Sequence, residues 1–413
     1  MSATFILQAG WRDELSGTAT FTRALLTGLE ARGADVKVVE MRAEGESPAP
    51  AGATPRVGSG GRSGPRPSSV RLCLGYVKST LKDFLHLWRN RRLLRGRTLV
   101  VNEFGCETMP IAARLFAPLG TVVTLAHTHA GDTEYANHPV RRIVERLCHR
   151  CATDVIYNSD AVREEWRCAL GTQPKGRFIH YGIGEPDPSV PADYPSRPEG
   201  CIDFLCASRF VRWKGHRELI AAFTRAAERC SVPLRLILVG DGPTRQDCIK
   251  QALSAGFGAP ENPPEQIMPD HNPSSNRPEQ IVLILCGDML APHRPAIIFL
   301  GPRPGAARYV NAADIGIQLS IEPEAFGLVF LEAMSRGKPV IGTRIGGIPE
   351  VVGEEAGILV EAGNPEAAAD AMVRLAESPE RRRQLGRAGH RRWRERFHLD
   401  RMIDEYAAYL YGE

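Results

Sequence analysis

Residues 320–349 read SIEPEAFGLVFLEAMSRGKPVIGTRIGGIP, and the order of residue types in this stretch decides the fold. The apolar run 315–319 predicts a strand that enters a loop carrying Glu322 and Glu324. A helix is expected to start near Phe326–Gly327 and to run to about Arg336, where Gly337 and Pro339 stop it. Residues 339–342 then predict the next strand. Gly327 at the helix start lets backbone N–H groups approach a ligand closely, and the helix N-terminus supplies the partial positive charge that suits a phosphate. Glu324 lies before the helix and Glu332 inside it, with seven residues between them. Two carboxylates beside a phosphate site suit a ligand rich in hydroxyls, such as a ribose or a hexose. Taken alone, the pair would better fit an amphipathic helix with Glu332 on its solvent face; the surrounding motif favours the ligand reading.

The same alternation continues outward in both directions. Downstream of residue 200, strands are expected at 202–207, 234–239, 297–300 and 314–319, with a helix at 215–228. The last helices, 365–376, 379–397 and 399–410, carry a dense Arg and Glu face. Upstream, strands are expected at 4–8, 36–40, 98–102, 121–125 and 154–157, with helices at 18–32 and near 108–115. Short apolar runs alternating with helices indicate parallel sheets covered on both faces. The chain of 413 residues therefore reads as two doubly wound α/β domains, 1–183 and 201–396. The Pro- and Gly-rich segment 184–200 reads as a linker, and 397–413 as a terminal helix that returns to the first domain. Two stretches interrupt the pattern. Residues 44–69 are almost entirely Gly, Pro, Ser, Ala and Arg and read as a disordered insertion. A second polar insertion, rich in Pro and Asn at 261–280, lies within 257–296. Ligands of paired sheets of this kind bind at the carboxyl ends of the strands, in a cleft between the domains.

Composition narrows the class. Hydrophobic residues make up 43% and charged residues 24%, as in an ordinary globular protein. A formal net charge of +4 is too mild to argue for nucleic acid, so charge has to be read from local clusters. No apolar stretch approaches the ~18 residues that span a membrane. The N-terminus lacks the features of a signal peptide, which predicts a cytoplasmic protein. The ten cysteines show no repeated spacing. Cys148 and Cys151 form one C-x-x-C without a second pair and read as core thiols rather than a zinc site.

Residues 208–215, SRFVRWKG, place Arg209 and Lys214 in a strand-to-helix loop at the carboxyl edge of the second sheet, where a guanidinium and an ammonium can neutralise a diphosphate. Residues 239–243, VGDGP, add a strand-to-turn signal at Gly240. Together with FLG at 299–301, NAADIGIQLS, EPEAFGLVFLEAM, GKPVIGT, GGIPEVV and AGILV, these pieces make residues 202–400 resemble the donor-binding half of the retaining glycosyltransferases of the GT-B fold, in the large family also called glycosyl transferases group 1. The first half is similar more loosely, through GLEARGADVKVV, VVTLAHTH, VIYNSDAVREEW and FIHYGIG.

The resemblance implies a GT-B enzyme that moves a hexose-type sugar, with retention, from a UDP- or GDP-linked donor to a glycan or lipid-linked acceptor. Arg209 and Lys214 would hold the diphosphate as it leaves. Glu332 would accept from the ribose hydroxyls and Glu324 would contact the transferred sugar. The amides of Gly327 and Leu328 would cap a phosphate, and Phe326 and Gly240 would belong to the donor-binding set. The loop at Pro302–Arg303 would face the base. His127 matches a histidine that lines the sugar site, with His129 as the alternative register. The family opens its first helix with Gly-Gly; here residues 15–19 read LSGTA, so Gly17 alone takes that part. No Asp-x-Asp occurs in the chain, so no metal cofactor is expected and cations would stabilise the leaving group. Retention without an obvious nucleophile suits front-side attack assisted by the leaving phosphate, and domain closure would exclude water.

Other classes sharing this architecture stay in view: a sugar-nucleotide epimerase or hydrolase, and a non-catalytic binding module. A nicotinamide-dependent oxidoreductase is disfavoured, because no G-x-G-x-x-G follows an early strand. Residues 76–97 leave two readings open. Val77, Leu81, Phe84 or Leu85, and Trp88 recur at helical spacing, and Arg89, Arg91, Arg92, Arg95 and Arg97 follow. Either the helix packs this stripe on the first sheet, or it docks peripherally on an anionic inner-membrane face.

Overall fold

The computed structural model describes residues 2–8, 17–41, 69–94, 96–102, 108–117, 120–127, 139–171, 176–258, 282–286 and 295–412. The insertions expected at 44–69 and 261–280 fall outside these residues, apart from Ser69, which opens a helix. The chain forms two compact units, one of residues 1–182 with 399–413 and one of residues 183–398.

The first unit holds six parallel strands, β1 (Ser2–Gln8), β2 (Asp35–Met41), β3 (Thr98–Asn102), β4 (Val122–Ala126), β5 (Asp154–Tyr157) and β6 (Arg177–Phe178), in the order β2-β1-β3-β4-β5-β6. Its helices are α1 (Gly17–Ala31), α2 (Ser69–Arg89), α3 (Arg91–Leu94), α4 (Met109–Phe116), α5 (Pro139–Cys151) and α6 (Asp160–Leu170). Strands buried on both faces need uninterrupted apolar runs, and the five residues of β4, VVTLA, are all buried. Helix ends follow local chemistry: Ser159 caps α6 by accepting from the Val162 amide, and Gly171 ends it in the left-handed region.

The stretch 76–97 is not one helix. Asn90 turns its side-chain amide back to the carbonyl of His86 and ends α2. Gly96, at φ +69°, then turns the chain into β3. The residues that seat α2 are Leu87, fully buried, and Phe84 beside it. The stripe of Val77, Leu81, Leu85 and Trp88 faces solvent instead. Of the expected stripe only the Phe84 alternative packs on the core, at its margin and stacked on Trp88, while the fully buried anchor is Leu87, from outside the stripe. Cys148 and Cys151, expected in the core, are only half-buried on α5.

The second unit has an eight-stranded sheet of β7 (Ile202–Ala207), β8 (Leu234–Val239), β9 (Phe257–Gly258), β10 (Val282–Cys286), β11 (Ala296–Gly301), β12 (Ile315–Ile317), β13 (Val340–Thr343) and β14 (Gly357–Val360), ordered β14-β13-β12-β7-β8-β11-β10-β9. Six strands are parallel. The expectation of a wholly parallel sheet fails at one edge, where β10 pairs antiparallel with β11 and β9. These two strands come from the 257–296 segment read as an insertion. Helices α7 (His216–Arg229), α8 (Arg245–Ser254), α9 (Leu328–Ser335), α10 (Ile348–Val352), α11 (Pro365–Glu377) and α12 (Pro379–Arg396) surround the sheet.

Residues 184–200, expected as a linker, are anchored within this unit. The Tyr194 hydroxyl donates to Asp203 (2.8 Å), and Arg235 binds the same carboxylate through two nitrogens while donating to the Ser196 carbonyl. Asp203 and Arg235 face each other in register at the start of β7 and β8. A buried guanidinium needs its donors filled, and the Pro-rich segment supplies the acceptors.

The last helix, α13 (Leu399–Tyr411), belongs to the first unit and packs against α1. A Cβ on Gly28 would stand 2.0 Å from the Ile403 side chain, and Arg32 reaches both Asp400 and Asp404. Ile403 is buried, so truncating it removes packing at this seam. Ile403→Ala should cost about 2–4 kcal/mol, and a thermal melt of the variant should show the first unit losing structure several degrees earlier.

Candidate functional site

The carboxyl ends of four adjacent strands, β12, β7, β8 and β11, carry loops that are stitched together. Ser208 donates its amide to Val239, Phe210 to Asp241, Gly240 to Gly301, and Ile321 to Trp213. These approaches are too close for side chains. A Cβ on Gly215 would lie 1.7 Å from the Leu319 carbonyl oxygen, and one on Gly240 would lie 2.1 Å from that of Ser208. Both glycines also sit at positive φ.

Stitching brings the expected residues Lys214 and Glu324 into direct contact. The ammonium donates to Glu324 Oε1 and lies 4.3 Å from the centroid of the Trp213 ring. Both partners are about nine-tenths out of water. Glu324 Oε2 accepts from Gln318 (2.5 Å) and Ser320 (2.9 Å), so both carboxylate oxygens are hydrogen-bonded while Oε1, with Lys214 as its one donor among the described residues, keeps capacity to accept another. The backbone of Glu324 is gripped as well: the Gly347 amide donates to its carbonyl at 2.7 Å, and a Cβ on Gly346 would meet it at 2.4 Å. Thr343 holds the Ser320 carbonyl.

Three residues of this cluster, Gln318, Ser320 and Trp213, were absent from the sequence-derived site. Gln318 could have been found, since an amide at the end of a buried apolar run needs a buried partner. Trp213 gave no signal apart from its place beside Lys214.

Gly327, at φ +93°, caps α9, so the first amides of that helix have no helical partner and point outward. Glu332 lies one turn inside α9. Burial pushes its carboxyl up to about 7, and the nearby Arg336 only partly offsets this. Glu332 is half-buried rather than fully exposed, which disfavours the solvent-face alternative. Arg336 itself is turned to Asn311 (2.7 Å). Among the described residues no side chain hydrogen-bonds the Glu332 carboxyl, which leaves it open to a ligand.

Other expected residues are placed differently. Arg209 is exposed, and its guanidinium has no partner among the described residues. Arg303 follows β11 but is committed to Asp193 (2.8 Å) and the Pro302 carbonyl, so this loop can offer a base mainly its backbone. The Phe326 ring is buried edge-on against Phe397, which leaves it no face for a donor; only its backbone stays near the α9 start. Leu328 is the first residue of α9.

In the first unit, Gly17 opens α1 and the loop before it lies outside the described residues, as does His129. His127 directly follows β4 and is buried, with Nδ1 2.6 Å from the Tyr181 hydroxyl and Phe21 edge-on at 5.0 Å. Burial pulls its imidazole down to about 3, so the ring is neutral at physiological pH. Its Nε2 has no partner among the described residues.

The sequence matches two family models, "Glycosyl transferase 4-like domain" over residues 16–182 and "Glycosyl transferases group 1" over residues 291–392. The chain belongs to the group 1 glycosyltransferases. This glycosyltransferase is 26% identical to a GDP-mannose-dependent alpha-(1-6)-phosphatidylinositol monomannoside mannosyltransferase of Mycobacterium tuberculosis, over 79% of each chain. It is 37% identical to an N-acetyl-alpha-D-glucosaminyl L-malate synthase of Bacillus anthracis, over 28% of this chain and 30% of that one. Solved structures agree on the fold. Anabaena HepE in complex with UDP and glucose superposes with a TM-score of 0.64 at 19% identity, covering 100% of both chains. A sucrose-phosphate synthase from Thermosynechococcus elongatus gives 0.66 at 21%, covering 98% of each. The fold is GT-B, with two α/β units.

The elevated Glu332 carboxyl makes a prediction whose sign can be worked out. A carboxyl whose pKa is raised by folding stabilises the folded state below its unfolded value, and that contribution is lost as pH rises through about 7. Glu332→Gln stays neutral throughout. The variant should melt close to the wild type at pH 5 and several degrees above it at pH 8. Equal melting temperatures at pH 8 would show that the carboxyl is not held near 7.

Proposed function

We propose that this glycosyltransferase moves a hexose-type sugar from a UDP- or GDP-linked donor to a glycan or lipid-linked acceptor, with retention and without a metal ion. The observation that carries this reading is the buried Lys214–Glu324 pair at the carboxyl edge of β7 and β12, in the loop that leads into α9. The mannosyltransferase named above is GDP-mannose-dependent, and HepE was solved with UDP and glucose; both support a nucleotide-sugar donor.

In the proposed reaction an acceptor hydroxyl oxygen attacks the anomeric carbon while the bond from that carbon to the donor phosphate breaks. The acceptor proton passes to an oxygen of the leaving diphosphate, and nucleoside diphosphate is released. Retention follows if attack comes from the face the phosphate leaves. Lys214 and the exposed Arg209 supply positive charge where negative charge grows, with the α9 amides of Gly327 and Leu328 adding dipoles. Glu324, fixed by Gln318 and Ser320, accepts from hydroxyls of the transferred sugar. Glu332 accepts from the ribose once it has lost its proton. The neutral His127 of the first unit can donate or accept at Nε2 but carries no charge.

Cations replace the charge a divalent metal would supply, so EDTA should leave turnover largely unchanged. Loss of activity on chelation, restored by Mg²⁺ or Mn²⁺, would overturn this part of the reading. Lys214→Ala should lower transfer roughly 100–1000-fold, the usual cost of one electrostatic stabiliser. A donor screen over UDP- and GDP-sugars, with the anomeric configuration of the product read by NMR, tests the whole proposal. An inverted product would remove retention. Epimerised or hydrolysed donor, with no transfer to any glycan or lipid acceptor, would remove the transferase assignment of this site.

A further inference from the structure

Helices α2, α4 and α5 connect strands that follow one another across the first sheet, and right-handed crossovers place all three on the same face, opposite α1. That layer has an unusual outer surface. Along α2, Leu74, Val77, Leu81, Leu85 and Trp88 are 56%, 64%, 57%, 47% and 54% exposed. Their spacing of three and four residues draws one continuous stripe along a helix of 21 residues. The opposite side of α2 is pinned, because Leu87 enters the core and Asp83 accepts from Thr108 at the start of α4. The outward direction of the stripe is therefore fixed by packing. On α5, Ile143 and Leu147 repeat the pattern one turn apart, each beside an exposed arginine, Arg142 and Arg146.

Charge follows the stripe. Lys78, Lys82 and Arg89 each stand one residue after a stripe residue and flank it on one side, and Arg91 lies 5.4 Å from the Trp88 ring centroid. The sequences 69–94 and 139–151 hold ten Lys and Arg against two carboxylates, a formal +8 in a chain whose total is +4. Basic charge is thus concentrated on this layer, while the rest of the chain is net acidic. Arg97 does not contribute, since Asp35 holds it.

We infer that the α2–α5 face is a docking surface for an anionic lipid bilayer. An amphipathic helix that lies in a membrane interface needs leucine, valine and tryptophan on one side, with cations alongside to meet acidic headgroups. No helix among the described residues is long and apolar enough to cross a membrane, so this contact is peripheral. Residues 42–68, directly before α2, contain Val57 as their one large apolar side chain and so offer the stripe little to pack against. An acidic protein partner would match the cations but leave five apolar side chains unused. The inference is independent of the donor chemistry, because lipid binding is read without donor.

The test is co-sedimentation of the full chain with phosphatidylcholine vesicles and with vesicles containing phosphatidylglycerol, at low salt. Three proteins are compared: wild type, Lys78→Gln/Lys82→Gln/Arg89→Gln/Arg92→Gln, and Leu81→Ser/Leu85→Ser. All substituted side chains are exposed, and thermal melts confirm that the variants fold. Wild type should bind the anionic vesicles only, and both variants should bind at least roughly a hundred-fold more weakly, as expected when several surface cations or apolar anchors are lost. Brominated lipid should quench a tryptophan signal that Trp88→Phe removes. Equal binding by the cation variant, or no wild-type binding at low salt, would overturn the inference. So would a wild-type dimer that the Leu→Ser variant converts to monomer without any effect of lipid, because a second copy would then be the occupant.

Discussion

Lys214 and Glu324 meet with most of their surface removed from water, and much of the second unit's architecture around the site serves that contact. Two charges taken out of water cost more than their attraction returns unless the remaining donors and acceptors are filled. Gln318 and Ser320 fill them on the carboxylate side, and the Trp213 ring lies beside the ammonium. Bringing these groups together forces the loops after β7, β12 and β13 to within backbone contact. Gly215, Gly346 and Gly347 stand at the points where any Cβ would collide. The glycines are thus a consequence of the ion pair as much as a device for turning the chain.

The two glutamates of this stretch meet opposite conditions although they lie on one short segment. Glu324 has a cation and two neutral donors within reach. Glu332 is half-buried on α9, and the guanidinium of Arg336 is directed to Asn311, so desolvation dominates and raises its carboxyl. One position is organised before a ligand arrives. The other holds an unfavourable group whose ionisation a hydroxyl-rich ligand would repay, which is a common trade between stability and function.

In the first unit the distribution of charge matters more than its total. A whole-chain value of +4 conceals a helical layer at +8. The layer's apolar side chains are outside because α2 is fixed by Leu87 and Asp83 away from the stripe and by Phe84 at its margin. Its chemical centre is quieter: His127 sits neutral between Tyr181 and Phe21, with one nitrogen unused among the described residues.

The sequence by itself determined the repeating strand–helix units, because a strand buried on both faces must be a short apolar run and its helices must begin and end at caps such as Ser159, Gly171, Asn364 and Ser378. It also determined which residue types could carry the chemistry, since Arg209, Lys214 and Glu324 stand in loops that follow strands and Glu332 one turn inside the helix that comes next. Local pattern does not contain distance across the sheet, however. Only the tertiary structure decided that Lys214 and Glu324, 110 positions apart, touch. It also decided that Arg303 is held by Asp193 and that Phe326 is core. For α2 the spacing of its apolar residues was legible, but a helix with apolar residues on two sides does not say which side its neighbours will bury. Leu87 and Phe84 took the sheet, and the longer stripe was left to the solvent because the layer beneath had room for one face alone.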